Sequence, residues 1–224
     1  MTQTAREEIL GKLKAAPKQS APSRPGVPPP AELSWTREQM IEEFTENLRR
    51  ETAIVHRVEN YDKAAGKLTE IAKSENLKKV IVSTDDVVAG MNLQEWGTGN
   101  GIEVLTHKQF TERAAFKKAV FVDVEAGITG VDYAVAESGT LCLIHDENHP
   151  RLLSLAPATH IAIVPAERLF PAYENVTDII FQEKRRLPSH VTFTTGPSMT
   201  ADIMGVPFKG MHGPKKLIVI IIGG

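Results

Sequence analysis

Apolar residues at Met40, Ile41, Phe44 and Leu48 recur at helical spacing and predict one buried face of a helix. Thr36 and Gln39, just ahead of them, have the spacing of a capping box, which sets where that helix begins. An extended run over 53–58 follows, and then Ala64, Ala65, Leu68, Ile71 and Ala72 predict a second helical face. After that the pattern changes to short continuous apolar runs. KKVIVST, the run from Ile102 to Leu105, and AVFVDV each read as a strand, with a helix expected between Gln109 and Lys117. The second half is richer in β-branched residues: YAVAESGTLCLI, HIAIVP, VTFTTG and KLIVIII predict strands, while RLLSL and PSMTADI predict short helices. Strands alternating with helices point to an α/β fold, an open and mostly parallel sheet with helices on both faces.

The first residues follow a separate pattern. Thr4 and Glu7 again have capping-box spacing, and Ile9, Leu10 and Leu13 share one helical face, which predicts a short amphipathic helix. Six prolines in the fourteen residues from Pro17 to Pro30 exclude helix and interior strand there and read as a semi-rigid linker. Residues 1–35 are therefore expected to be a helical arm with its linker, and 36–224 the α/β domain. The start carries no uninterrupted apolar core of the secretory kind, and the longest apolar run, 217–222, is too short for a bilayer, so the expectation is a cytoplasmic protein without a membrane span.

Charge and cysteine content narrow the chemistry. Across 224 residues the formal net charge is −2, and the only basic run is Lys184-Arg185-Arg186, which disfavours nucleic acid as a partner. Cys142 is the single cysteine, so the chain alone can form neither a disulfide nor a cysteine-ligated cluster. His145 and His149 in HDENH have i, i+4 spacing, but Pro150 and the turn-forming neighbours indicate a loop, and no metal site is expected. Walker, GxGxxG and GxSxG signatures are all absent.

Ligands of open α/β sheets bind beyond the carboxyl ends of strands, which directs attention to polar residues after apolar runs. Four such places stand out: 83–86, 126–130, the Glu137-Ser138-Gly139-Thr140 turn, and 194–198. In the last, Gly196 and Pro197 lead into an expected helix whose free amides around Ser198 and Thr200 would suit an anion. Simple capping by Ser198 or Thr195, with Asp202 in the first turn, explains the same residues. Glu137 interrupts an apolar strand pair, either as a functional group or as a carboxylate facing solvent or paired with Arg151. His212, between Gly210 and Gly213-Pro214, can exchange a proton near neutrality or be a plain surface residue.

Taken in order, ITGVDYAVAESGTLCL, RLLSLAPATHIAIVP, FTTGPSMTADIMGV and GMHGPKKLIVII resemble the lactate utilization protein C family, or LUD domain. The resemblance covers the segment from about Gly127 to the end, and implies a fold similar to the sugar-phosphate isomerase and coenzyme A transferase superfamily. It also implies a role in oxidising L-lactate to pyruvate, with no cofactor on this chain and iron–sulfur clusters on cysteine-rich partner proteins. The motif positions it marks are Thr129, Glu137, Ser138, Gly139, Thr140, Arg151, His160, Gly196, Pro197, Ser198, Thr200, Asp202, His212 and Gly213, of which Glu137, His212 and Asp202 are the catalytic candidates and the others, His160 aside, the candidate ligand contacts. Ser138 stands where the family often has threonine, and Met199 where it often has arginine. A second implied reading is an independent enzyme or binding domain for coenzyme A, a phosphosugar or another anionic metabolite. Glu137-Ser138-Gly139 is loosely similar to the nucleophile turn of the coenzyme A transferases.

Overall fold

A computed structural model describes residues 5–16, 33–181, 187–201 and 207–224. The proline linker, Thr4, the Lys184–Arg186 run and Asp202 lie outside the described residues. The chain divides into two units, Met1–Glu32 and Leu33–Gly224. Within the first, α1 (Ala5–Ala15) exposes Ile9, Leu10 and Leu13.

The second unit begins with α2 (Arg37–Arg50), closed at its start by the Thr36–Gln39 capping box and burying Met40, Ile41, Phe44 and Leu48. Then come β1 (Ile54–Val58), α3 (Tyr61–Ser74), β2 (Lys79–Val82), α4 (Asp86–Ala89), α5 (Leu93–Asn100), β3 (Glu103–Thr106) and α6 (Arg113–Lys118). Strand β4 (Ala126–Gly130), the hairpin β5 (Tyr133–Val135) and β6 (Thr140–Ile144), α7 (Leu152–Leu155) and β7 (Thr159–Pro165) follow. The chain ends through β8 (Leu169–Phe170), α8 (Tyr173–Ile180), β9 (Val191–Thr194), β10 (Met199–Ala201), β11 (Pro207–Lys209) and β12 (Lys216–Ile222).

Six strands form a wholly parallel sheet in the order β1-β12-β7-β4-β2-β3. One face, carrying Val80, Ile161, Ile163 and Ile220, packs on α3 and α5 through Leu68, Ile71 and Trp96. The other carries Ala162, Val164, Val219 and Ile221 and packs on Phe44 and Leu48 of α2 and on Leu141 and Leu143 of β6. Strand β6 belongs to a second sheet, ordered β8-β5-β6-β9, whose outer face is covered by Val176 and Ile180 of α8. Burial on both faces explains why β7 and β12 are continuous apolar runs and not alternating ones. The α/β class and the parallel sheet flanked by helices stand as the pattern predicts.

Two local expectations are corrected. AVFVDV is not a strand: Ala119–Asp123 continue α6 as a widened helical turn, with Phe121 and Val122 exposed, and the strand is the glycine-rich run after it, β4. PSMTADI does not begin a helix: Met199–Ala201 pair antiparallel with Pro207–Lys209. A helix start leaves its amides free, whereas the Ser198 amide donates to Pro214 O at 2.8 Å.

Candidate functional site

Strand β9 is an edge of the four-stranded sheet, and its alternation sends Thr192 and Thr194 to the same inner face as their β6 partners Leu143 and Leu141. That face meets the amino ends of β7 and β12, where His160 and Leu217 are paired in register. The space between is a cleft of about 410 Å³, lined among the described residues by Thr192 to Met199, His160, His212, Gly213, Pro214 and Leu217, with Glu51, Ser154 and Leu155 at its borders. Its size is that of a small-ligand pocket.

The two Gly-Pro turns are joined across one residue. The Ser198 amide donates to Pro214 O at 2.8 Å, and Ser198 O accepts from the Gly210 amide at 2.8 Å. Gly213 packs so closely that a Cβ there would lie 3.1 Å from Ser198 Cβ, and Gly210 holds φ +78, which glycine adopts without strain. Ser198 and His212 are therefore presented on one wall of the cleft.

His160 is buried, and its Nε2 meets Thr129 Oγ1 at 2.9 Å, which ties β7 to β4. Burial pushes its pKa down to about 3, with the neighbouring His149 and His145 adding repulsion, so the ring is neutral at physiological pH. His145 lies behind Thr192. Its Nδ1 faces the His149 carbonyl at 3.1 Å and its Nε2 faces Thr192 Oγ1 at 2.7 Å. Burial lowers its pKa to about 4, against a smaller opposing effect of the bond to that carbonyl. A chain of hydroxyls leaves the opposite side of the cleft: Thr195 Oγ1 to Thr140 Oγ1 at 3.0 Å, and Thr140 Oγ1 to Ser138 Oγ at 2.8 Å.

Six of the motif residues thus converge directly: His160, Gly196, Pro197, Ser198, His212 and Gly213 line the cleft. Thr129 joins it through His160, and Ser138 and Thr140 through Thr195. The other four described motif residues lie elsewhere. Gly139 has φ +65 and sits against α2, where a Cβ would approach Leu48 N to 2.7 Å. Arg151 is exposed at the start of α7, its carbonyl accepting from Ser154 Oγ at 3.1 Å, and Thr200 pairs with Phe208 in the β10–β11 hairpin. Glu137 is exposed, and its Oε1 accepts from the Tyr173 amide at 2.8 Å, the first residue of α8. It serves that helix as an N-terminal carboxylate, so Glu137→Gln is expected to cost only about 0.3–1 kcal/mol in urea unfolding. A loss well beyond that range would show that the carboxylate has a further role.

The cleft is at the amino ends of the parallel strands, not the carboxyl ends where such sheets usually bind. At the carboxyl ends lies another hollow, about 340 Å³, lined by Asp86, Asp132, Tyr133, Glu167, Arg168 and Phe170, in which Arg168 is paired with Asp86. A third, about 200 Å³ beside α3, includes none of the motif residues. Among the described residues no three histidine, cysteine, aspartate or glutamate side chains converge as a metal-binding group, and no helix is long and apolar enough to cross a membrane. Sequence reasoning singled out Thr194 within 194–198 but passed over Thr192, Glu51 and Ser154. Thr192 was detectable, since VTFT alternates and so places it on the same face as Thr194.

Comparison with known proteins agrees with this architecture. The LUD domain family model matches residues 41–222. Lactate utilization protein C of Halalkalibacterium halodurans is 32% identical over 164 residues, covering 72% of this chain and 70% of that protein. The Bacillus subtilis protein of the same name is 34% identical over 147 residues, covering 64% and 56%. An uncharacterized Neisseria meningitidis protein is 31% identical over 107 residues, covering 48% and 46%. The chain spans about half the length of several of the curated relatives it matches. A crystal structure of a DUF162 family protein from Deinococcus radiodurans shares the fold, with a TM-score of 0.61 at 20% identity, over 84% of this chain and 99% of that one. With the family model spanning the α/β unit almost end to end, the chain belongs to the LUD domain family.

Proposed function

We propose that this protein takes part in lactate utilization as the cluster-free, accessory component of a cytoplasmic system that oxidises L-lactate to pyruvate, and that its cleft receives lactate. The observation that carries the reading is family membership together with relatives named for lactate utilization. Oxidation of the hydroxy acid to the oxo acid releases two electrons and two protons, and the electrons need an acceptor. Cys142, the single thiol in the sequence, is buried, and burial pushes its pKa up to about 12, so this chain offers no thiolate set for an iron–sulfur cluster. Cysteine-rich iron–sulfur partners are the acceptors this reading requires. In the cleft, Ser198 and His212 on the joined turns and the hydroxyls of Thr194 and Thr195 supply donors for a carboxylate.

Anaerobic affinity purification of the tagged chain from its host grown on L-lactate tests the proposal. Recovery of brown, cysteine-rich partners with lactate-dependent dye reduction is the expected result. A colourless, inactive protein carrying no partners would count against it.

A further inference from the structure

The hydrogen-bond directions behind the cleft are fixed by the groups that cannot donate. The His149 carbonyl only accepts, so His145 Nδ1, at 3.1 Å, carries the ring proton. His145 is buried and neutral, which leaves Nε2 as a bare acceptor. Thr192 Oγ1, at 2.7 Å from that nitrogen, must then spend its one proton on the ring. What the half-buried threonine has left for a ligand is lone pairs only. Its inner-face position on β9 places Thr192 in the lining of the cleft that His160 also lines. A carboxylate or ketone oxygen placed against it would meet an acceptor with no proton to share, whereas a ligand hydroxyl would complete its bonding.

We infer that Thr192 selects the reduced form of the ligand: the cleft binds a 2-hydroxy acid through a hydrogen bond from the ligand O–H to Thr192 Oγ1, and disfavours the corresponding 2-oxo acid. The inference rests on the reading of the cleft as the lactate site. A site arranged to accept from a substrate hydroxyl rejects the analogue lacking it, because the protein acceptor is left unpaired or opposed. His145 acts through Thr192 as a positioning residue, holding the threonine proton away from the cleft.

Isothermal titration of the full chain with L-lactate and with pyruvate at pH 7.5 tests this, with Thr192→Val and Thr192→Ser alongside. Lactate is expected to bind about tenfold more tightly than pyruvate, the worth of one net hydrogen bond in a partly open cleft. Thr192→Val should bring the ratio close to one by weakening lactate and relieving the opposition to pyruvate, and Thr192→Ser, which keeps the hydroxyl, should preserve it. Equal binding by the native protein, or an undiminished ratio in the valine variant, would overturn the inference while leaving lactate as the ligand. Binding of neither acid would overturn the ligand assignment and the selectivity with it, although recovery of iron–sulfur partners would still stand on its own. Should the valine variant fail to fold, the native ratio alone decides, because a ratio of one contradicts the inference.

Discussion

Gly127→Ala is expected to destabilise the protein by about 3 kcal/mol or more, enough to lower its denaturation midpoint sharply or to prevent recovery of folded material. Gly127 is the second residue of β4, in the middle of the parallel sheet, and α7 lies directly on it. A Cβ at this position would lie 1.9 Å from Leu153 O and 3.2 Å from the Pro157 ring, and the first is a backbone atom that cannot swing aside. Either the strand or α7 must move. Because Ser154 and Leu155 of α7 border the cleft, any ligand affinity should fall together with stability. Gly66→Ala is the matching control. That glycine lies within α3 with nothing within 4 Å of its would-be Cβ, so alanine there should stabilise by about 0.5–1 kcal/mol through helix propensity. Urea unfolding of both variants reads the contrast, and a Gly127 variant as stable as the native chain would show that α7 is not seated as described.

The same glycines explain where the sequence could be read and where it could not. Helix α2 was legible because its capping residues and apolar period agree, α3 because its apolar period is clear, and β2, β7 and β12 because buried parallel strands are continuous apolar runs. AVFVDV satisfies the same criterion and is not a strand. A run of that length has no period to separate a strand from a helical turn, and it is the exposure of Phe121 and Val122 that decides. The true central strand, AGITG, reads as a loop because glycine is poor in strands. Its glycines are there because α7 presses on Gly127 and Asp85 on Gly130. The Gly-Pro turns were visible as turns, but the partners they find were not. Ser198 bonds to the second turn and not into a helix of its own, a long-range pairing that composition does not encode. Glu137 stood out for its charge, yet the group it serves, the first amide of α8, comes thirty-six residues later. His145 and His149 drew attention as metal ligands, whereas the structure uses His145 to orient Thr192, a pairing across forty-seven residues that local pattern does not encode.

The buried histidines carry the second large expectation, a loss of stability in mild acid. His145 and His160 have folded-state pKa values near 4 and 3, depressed first by burial, against an ordinary 6.5. Below pH 6.5 the unfolded chain takes up protons at both sites and the native protein does not, so each site lowers stability by about 1.4 kcal/mol per pH unit as pH falls towards its folded value. Asp132 works in the opposite sense. Burial raises its carboxyl to about 6, so between pH 6 and 3.8 the native protein is the form holding the extra proton, and acid favours folding through this group. Two histidines against one aspartate leave a net loss of about 1.4 kcal/mol per pH unit, about 3 kcal/mol between pH 6 and 4, and His149, also lowered chiefly by burial, adds to it. That is a large share of the stability of an ordinary domain. Urea unfolding at half-unit steps from pH 7.5 to 4.5 should show the decline beginning near 6.5. Asp132→Asn removes the opposing group and should make the slope about twice as steep, whereas His145→Gln should flatten it. An Asp132→Asn slope no steeper than the native one would mean that the Asp132 carboxyl is not raised by burial. A native protein equally stable at pH 7 and pH 4.5, or a His145→Gln slope as steep as the native one, would mean that these rings are not held neutral by burial, and would remove the support for a Thr192 that presents only lone pairs to the cleft.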